Sequence, residues 1–238
     1  MRRFKISDLI AYCKRRADME NQSFVDDDAG SSEWLFHISS AYSELHSEIV
    51  NSGMRHYEKV HQITTDGTGT YSIPDDFLST VGVDYVWDVT NGKRRQLYRL
   101  MAQERNRYKG RGGSSEAIAY ALVGMGDAKP LELHPTPPTA QRYELVYIPH
   151  ATDLTVASQD TLVDVVAPAG EEFIFWAAAV LAKAKEQEDV TLAIMERERH
   201  RARLQEWALQ RAFLDPNRVI TDGEVDEDDE YGWRGRYW

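Results

Sequence analysis

The sequence predicts an α+β protein: a helical bundle, built from two N-terminal helices and a C-terminal helical hairpin, with an inserted antiparallel β-unit. Three observations predict it. An apolar stripe at helical spacing runs through residues 34–49, strand-like stretches parted by Gly and Pro turns fill the middle, and a broad apolar helical face returns after residue 169. On this reading residues 1–54 supply the first helices, 55–165 the inserted β-rich region, 166–215 the closing hairpin and 216–238 an acidic, aromatic tail.

Each element has its own local reason. Ser7 is positioned to cap a helix over 7–19, with Asp8 in its electropositive first turn and Leu9, Ile10, Cys13 and Ala17 on one face. The stretch 21–30 holds three consecutive aspartates and reads as an exposed connection. Ser31 or Ser32 then caps a helix whose Trp34, Ile38, Ala41, Leu45 and Ile49 step by four and three, and Gly53 suits a left-handed stop. Such a stripe needs a partner helix.

Residues 57–64 and 70–73 read as a hairpin across Asp66-Gly67-Thr68-Gly69, ended by Pro74 and Asp75. A β-branched, aromatic strand over 81–89 closes on Asn91-Gly92, and residues 96–100 pair back on it. A short polar helix over 101–109 and a Gly/Ser-rich loop over 110–115 follow, then strands over 117–123, 131–134 and 141–148. In the closing hairpin, Phe173, Trp176, Ala177, Val180, Leu181 and Ala184 form a wide apolar face. Asp189 is positioned to cap the last helix, which Asp215-Pro216 stops.

Composition excludes several classes. With 11% aromatic residues the chain is too rich in core formers for disorder throughout, and its longest apolar run, residues 173–181, is too short to span a membrane. Charged residues interrupt any secretory signal near the start. The single cysteine, Cys13, rules out an internal disulfide framework and a thiolate-rich zinc site, so a soluble protein that needs no oxidising compartment is expected. The net charge of −11 argues against phosphate binding by counterion release.

No catalytic motif emerges. There is no phosphate-cradling loop of the Gly-x4-Gly-Lys type, and Gly110, Gly112 and Gly113 do not open a helix. The seven histidines lack metal-ligand spacing, and no serine sits in a nucleophile elbow. Asp75, Asp76, Asp84 and Asp88 suit turns and caps better than paired carboxylates for acid–base or metal chemistry. Cys13 sits on an apolar stripe, as a small core residue does. No enzyme, cofactor or metal is expected.

Two regions suit protein contacts instead. Arg94, Arg95, Arg99, Arg105, Arg107, Lys109 and Arg111, interleaved with Tyr98 and Tyr108, make the one positive region, fitted to a subunit or tail interface. The last segment concentrates acid in Asp222, Glu224, Asp226, Glu227, Asp228, Asp229 and Glu230. It then turns to Tyr231, Trp233, Arg234, Arg236, Tyr237 and Trp238, residue types that anchor interfaces.

The layout resembles the head–tail adaptor (connector) proteins of tailed bacteriophages, the tail tubular protein A-like group. Leu9-Ile10 through Arg15-Arg16-Ala17-Asp18, with Ala41-Tyr42-Ser43-Glu44-Leu45, is similar to their N-terminal helical pair. Tyr71-Ser72-Ile73-Pro74-Asp75-Asp76-Phe77 resembles the Tyr-x-Leu-Pro-x-Asp-Phe step that opens their β-region. Residues 143–149, then 172–185 and 190–212, resemble their last strand and closing hairpin. The resemblance covers about residues 5–222.

It implies a structural virion protein without catalytic residues, forming a ring, commonly twelve-fold, in the neck between head and tail. The partners it implies are the portal protein, tail or nozzle proteins and further copies of itself, with DNA only as passing cargo and no membrane. The docking element for the portal is then assigned to residues 231–238, and an acidic channel or tail role to residues 226–230. Alternatives are another neck, tail-completion, tail-terminator or decoration protein, a carboxylate-dependent metal enzyme or nuclease, and a regulatory module whose acidic tail mimics DNA.

Overall fold

The computed structural model describes residues 3–19, 28–101, 104, 116–124, 130–154, 162–166 and 169–214. The chain forms two compact units, one of Met1–Met54 with Asp153–Trp238 and one of Arg55–Thr152. Among the described residues, four helices belong to the first unit, and two four-stranded sheets make up the second. The architecture is mixed α+β.

In the first unit, strand β1 (Arg3–Lys5) pairs antiparallel with β10 (Leu162–Asp164) and leads directly into α1 (Ile6–Ala17). The helix therefore begins one residue before Ser7. Lys5 stands at the cap in extended conformation and makes no side-chain capping bond, so the expected serine cap is not formed. At the other end Asp18 adopts the left-handed conformation, and Met19 N–H donates to Lys14 O at 3.0 Å. Helix α2 (Asp28–Asn51) starts before Ser31 and carries the predicted stripe. Trp34, Ile38, Ala41, Leu45 and Ile49 are all buried, and Gly53 ends the turn at φ +76°.

Helix α3 (Ala169–Lys185) lies against α1, α2 and α4 (Thr191–Leu214). It can serve three neighbours because Ala177, Ala178, Ala179 and Ala182 are buried alongside Phe173, Ile174 and Phe175, letting other helices approach closely. Asp189 accepts Thr191 N–H at 2.9 Å and caps α4 as the sequence predicts. Packing is close at Gly170, where an added Cβ would stand 2.1 Å from Val165 O and 3.2 Å from both terminal methyls of Leu45.

In the second unit the sheets run β2-β9-β4-β5 and β3-β8-β7-β6. Their strands are β2 (Lys59–Thr64), β3 (Thr70–Tyr71), β4 (Phe77–Asp88), β5 (Lys93–Gln96), β6 (Tyr98–Arg99), β7 (Ala119–Leu122), β8 (Leu131–His134) and β9 (Arg142–Pro149). One core joins both sheets and is rich in tyrosine, with Tyr71, Tyr85, Tyr120, Tyr143 and Tyr147 packed around Leu131 and Leu145. Period-two alternation produces it: Ile63, Tyr85 and Tyr143 share one face of the first sheet.

Two sequence expectations are corrected here. Residues 57–73 do not form a hairpin, because β2 pairs with β9 and β3 with β8, in different sheets. Thr65 explains why. Its N–H donates to Gln141 O and its carbonyl accepts Ala140 N–H, so the backbone that would continue a hairpin is bonded to the segment before β9. The β-unit is also not wholly antiparallel, since β6 pairs parallel with β7. The expected helix over 101–109 and loop over 110–115 fall largely outside the described residues.

Two substitutions test this packing. Gly170→Ala forces a clash that neighbours can relieve only by moving backbone, and should lower the unfolding free energy in urea titration by about 1–3 kcal/mol. Tyr143 Oη accepts Ala117 N–H at 3.0 Å and donates to Gln141 Oε1 at 2.9 Å inside the core. Tyr143→Phe strands a buried N–H and should cost ~1–3 kcal/mol in the same measurement.

Candidate functional site

Strands β5 and β6 are the outermost strands of their sheets among the described residues, and together residues 93–99 make one continuous edge. Leu97 pins it. Its side chain enters the tyrosine core and its N–H donates to Val83 O at 2.8 Å, in the first sheet. Tyr98 and Leu100 then donate to Ile118 O and Tyr120 O, in the second. Every other residue from Lys93 to Arg99 is exposed.

The register decides what each cation meets. Arg94 lies opposite Val86 and reaches the nearly buried Glu144 at 2.9 Å. Asp84 stands directly across from Glu144, so two carboxylates oppose each other on neighbouring strands with one guanidinium between them. Burial holds the Asp84 carboxyl above its ordinary pKa, and the Arg94 charge only partly offsets this. Arg95 pairs with Glu116 at 3.1 Å and lies over the Tyr85 ring. Lys93 sits 4.8 Å above the Trp87 ring. Burial raises the Tyr120 phenol, while the Thr80 hydroxyl and the Arg99 charge pull it back.

Arg94 and Arg95 are thus engaged within their own unit. What the edge presents outward is mixed, because Trp87, Tyr98 and Met101 are 54%, 57% and 70% exposed, with Val89 beside them. Edge strands are ordinarily blunted by charge, proline, bulges or a covering element, and large exposed apolar groups beside an edge that is unpaired among the described residues suit protein contact. Arg105, Arg107, Lys109 and Arg111 lie outside the described residues, as do Asp226, Glu227, Asp228, Asp229 and Glu230. So do Tyr231, Trp233, Arg234, Arg236, Tyr237 and Trp238.

Sequence reasoning missed Glu144 and Glu116, the partners of the arginines, and the exposure of Trp87 and Val89. Alternation in Tyr143-Glu144-Leu145 places Glu144 away from the core, but only strand pairing brings it to Arg94.

The aspartates weighed as a catalytic set are held apart in separate local roles. Asp76 accepts from Lys59 Nζ at 2.8 Å and from Tyr147 Oη at 2.9 Å, and the lysine bond holds its carboxyl low. Asp88 accepts both the backbone and side-chain N–H of Asn91 and closes the β4–β5 turn. Asp75 is exposed in the Pro74 turn, and Asp84 faces Glu144. Cys13 is buried, which pushes its thiol pKa upward. Among the described residues, no three His, Cys, Asp or Glu side chains are grouped to hold a metal ion.

Burial of Asp84 gives the unit a pH signature. Folding raises the Asp84 pKa, so the native state keeps that proton longer than the unfolded chain. Its contribution is present below pH ~4 and is lost as pH rises through the raised native value. Asp84→Asn should therefore gain stability relative to wild type as pH goes from 4 to 7, read as the shift in urea midpoint at each pH. A difference constant with pH would contradict this.

Among the described residues, no helix is long and apolar enough to cross a membrane. No curated protein matches the chain. Residues 5–222 match the SU10 adaptor protein family, a span that takes in all four helices and both four-stranded sheets. The chain therefore belongs to the SU10 adaptor protein family of phage head–tail adaptors, structural components of the virion that associate with other head and tail proteins.

Proposed function

We propose that the protein assembles into a closed ring between portal and tail, twelve-fold as the resemblance implies, and that the ring forms part of the DNA channel. The observation that carries this reading is the family match across residues 5–222, which spans the helical and the β-rich parts alike. In the ring the four helices act as one bundle, and the edge around Arg94, Arg95 and Arg99 meets a neighbouring subunit or the tail. Closed rings use heterologous contacts, so each subunit offers two different faces.

Charge supports the channel. Each phosphate contact raises affinity for DNA and slows its passage. A subunit of net charge −11, repeated around a ring, repels the passing duplex, and residues 226–230 add seven-acid density nearby with Asp222 and Glu224. Residues 231–238 supply the aromatic and arginine anchors for the portal.

The test is electron microscopy of the protein mixed with purified portal from the same source, with the protein alone as control. We expect a symmetric ring added beneath the portal, and loss of that ring when residues 222–238 are deleted. Unchanged binding by the truncation would remove the docking role from those residues. No association of the full chain would overturn the ring itself.

A further inference from the structure

We infer that His37 is an acid-sensitive latch between the start of α2 and the end of α3: a neutral imidazole keeps this joint closed, and a proton on the ring opens it. The latch is a property of the single subunit and does not depend on the ring proposed above.

His37 packs as an aromatic core group. Only 7% of it is exposed, and its sequence neighbours on the buried face, Trp34 and Ile38, are fully buried. Trp34 stands edge-on to the imidazole with ring centroids 6.1 Å apart, and the Phe36 ring is 6.0 Å away. Neither ring nitrogen has a hydrogen-bond partner among the described residues. Buried polar groups ordinarily have at least one partner, so a neutral ring is tolerated here for its shape.

One carboxylate lies near. Glu33, a turn earlier on α2, has Oε1 3.9 Å from His37 Nε2, beyond hydrogen-bond distance. The same oxygen accepts from Nζ of Lys185, the last residue of α3. Among the described residues, Glu33 and Lys185 are the charged groups that act on the imidazole, and α1 and α4, also packed on α2, supply none. Burial holds the His37 pKa below its ordinary value; the Glu33 charge pulls it up and the Lys185 charge pushes it down.

Protonation upsets this arrangement. An imidazolium sets a second cation against an oxygen that already holds an ammonium, and both its N–H groups then need acceptors in an apolar setting. Water can supply them once the first turns of α2 part from the last turn of α3. The Glu33–Lys185 pair resists this weakly, because it is partly exposed. The sign follows from the lowered native pKa. The contribution of neutral His37 is present above pH ~6.5 and is lost as pH falls from there through the native value. Carboxylates of ordinary pKa stay ionised down to pH 5.5, so histidines are the groups that change over this range.

Hydrogen exchange on the full-length protein at pH 7.5 and pH 5.5, corrected for the intrinsic rate, reads the joint. Amides of residues 33–38 and 180–185 should lose at least ~3-fold of their protection on acidification, while those of α1 keep theirs. His37→Phe keeps a ring in the apolar site and should remove the pH response, although His46 and His200 of the same unit remain in that variant. Equal protection at both pH values, a loss that survives His37→Phe, or a loss shared equally by α1 would overturn the latch. A second measurement needs no variant at His37. In an NMR titration assigned through the backbone, its ring should titrate below pH ~6.5, with the midpoint raised by Lys185→Met and lowered by Glu33→Gln. A midpoint at or above that value, or one that Lys185→Met leaves in place, would overturn the latch even if His37→Phe fails to fold.

Discussion

Leu97 is where one stretch of backbone passes from the first β-sheet to the second. Residues 93–96 are bonded to β4, residues 98–100 to the segment around β7, and the side chain between them is buried in the tyrosine core. Because the chain crosses without reversing, β6 meets β7 in parallel while its neighbours are antiparallel. The same pin sets which way every nearby side chain faces, since alternation has period two. Arg94 is sent to the outer face, to Glu144, and Arg95 to the core side, over Tyr85 and toward Glu116. A shift of one residue would place Gln96 or Tyr98 in the buried position of Leu97 and turn Arg94 and Arg95 to the opposite faces.

The helical unit divides its labour differently. Cohesion comes from apolar burial, with Trp34, Ile38, Leu45 and Phe173 at or near full burial, each worth roughly 1.5–3 kcal/mol relative to exposure. Of the ion pairs between elements, Glu33 with Lys185 and Arg16 with Glu172 are at the surface, while Glu48 with Arg201 is partly buried. Exposed pairs of this kind contribute about 0–1 kcal/mol each, so they orient helices that the core already holds. Acids outnumber bases in the whole chain by 39 to 28, so such pairing still leaves the subunit strongly negative.

Local physics was readable where one segment alone decides it. The 34/38/41/45/49 stripe, the Gly53 stop and the Asp189 cap depend on residues within a turn or two, and the structure has all three. The hairpin over 57–73 was misread because Asp66-Gly67-Thr68-Gly69 does turn, with Gly67 and Gly69 at positive φ. What the turn joins, however, is decided by residues 140 and 141, far along the chain. Ser7 failed as a cap because β1, committed to a distant partner at β10, feeds the helix from extended backbone one residue earlier. At the candidate site the cations were visible in the sequence but their acidic partners were not. Arg94 and Glu144 are fifty positions apart and meet only through the β5-β4-β9 register.

The ring proposed above uses two unlike faces on every subunit, and among the described residues each unit exposes one large apolar face. On the β-unit it is the edge with Trp87, Val89, Tyr98 and Met101. On the helical unit it is α4. Of the α4 positions with described side chains, only Ala193, Leu204 and Ala208 are buried, while Leu192 and Met195 are each 65% exposed and Leu209 is half exposed. A helix of 24 residues with three small or aliphatic anchors is held mainly by its hairpin partner and by Glu48. Isolated helices gain most of their stability from a packed face, so α4 has stability still to gain from a neighbour. The two uncovered faces differ in chemistry, one an edge of backbone and aromatic groups, the other an aliphatic helix with self-paired charges.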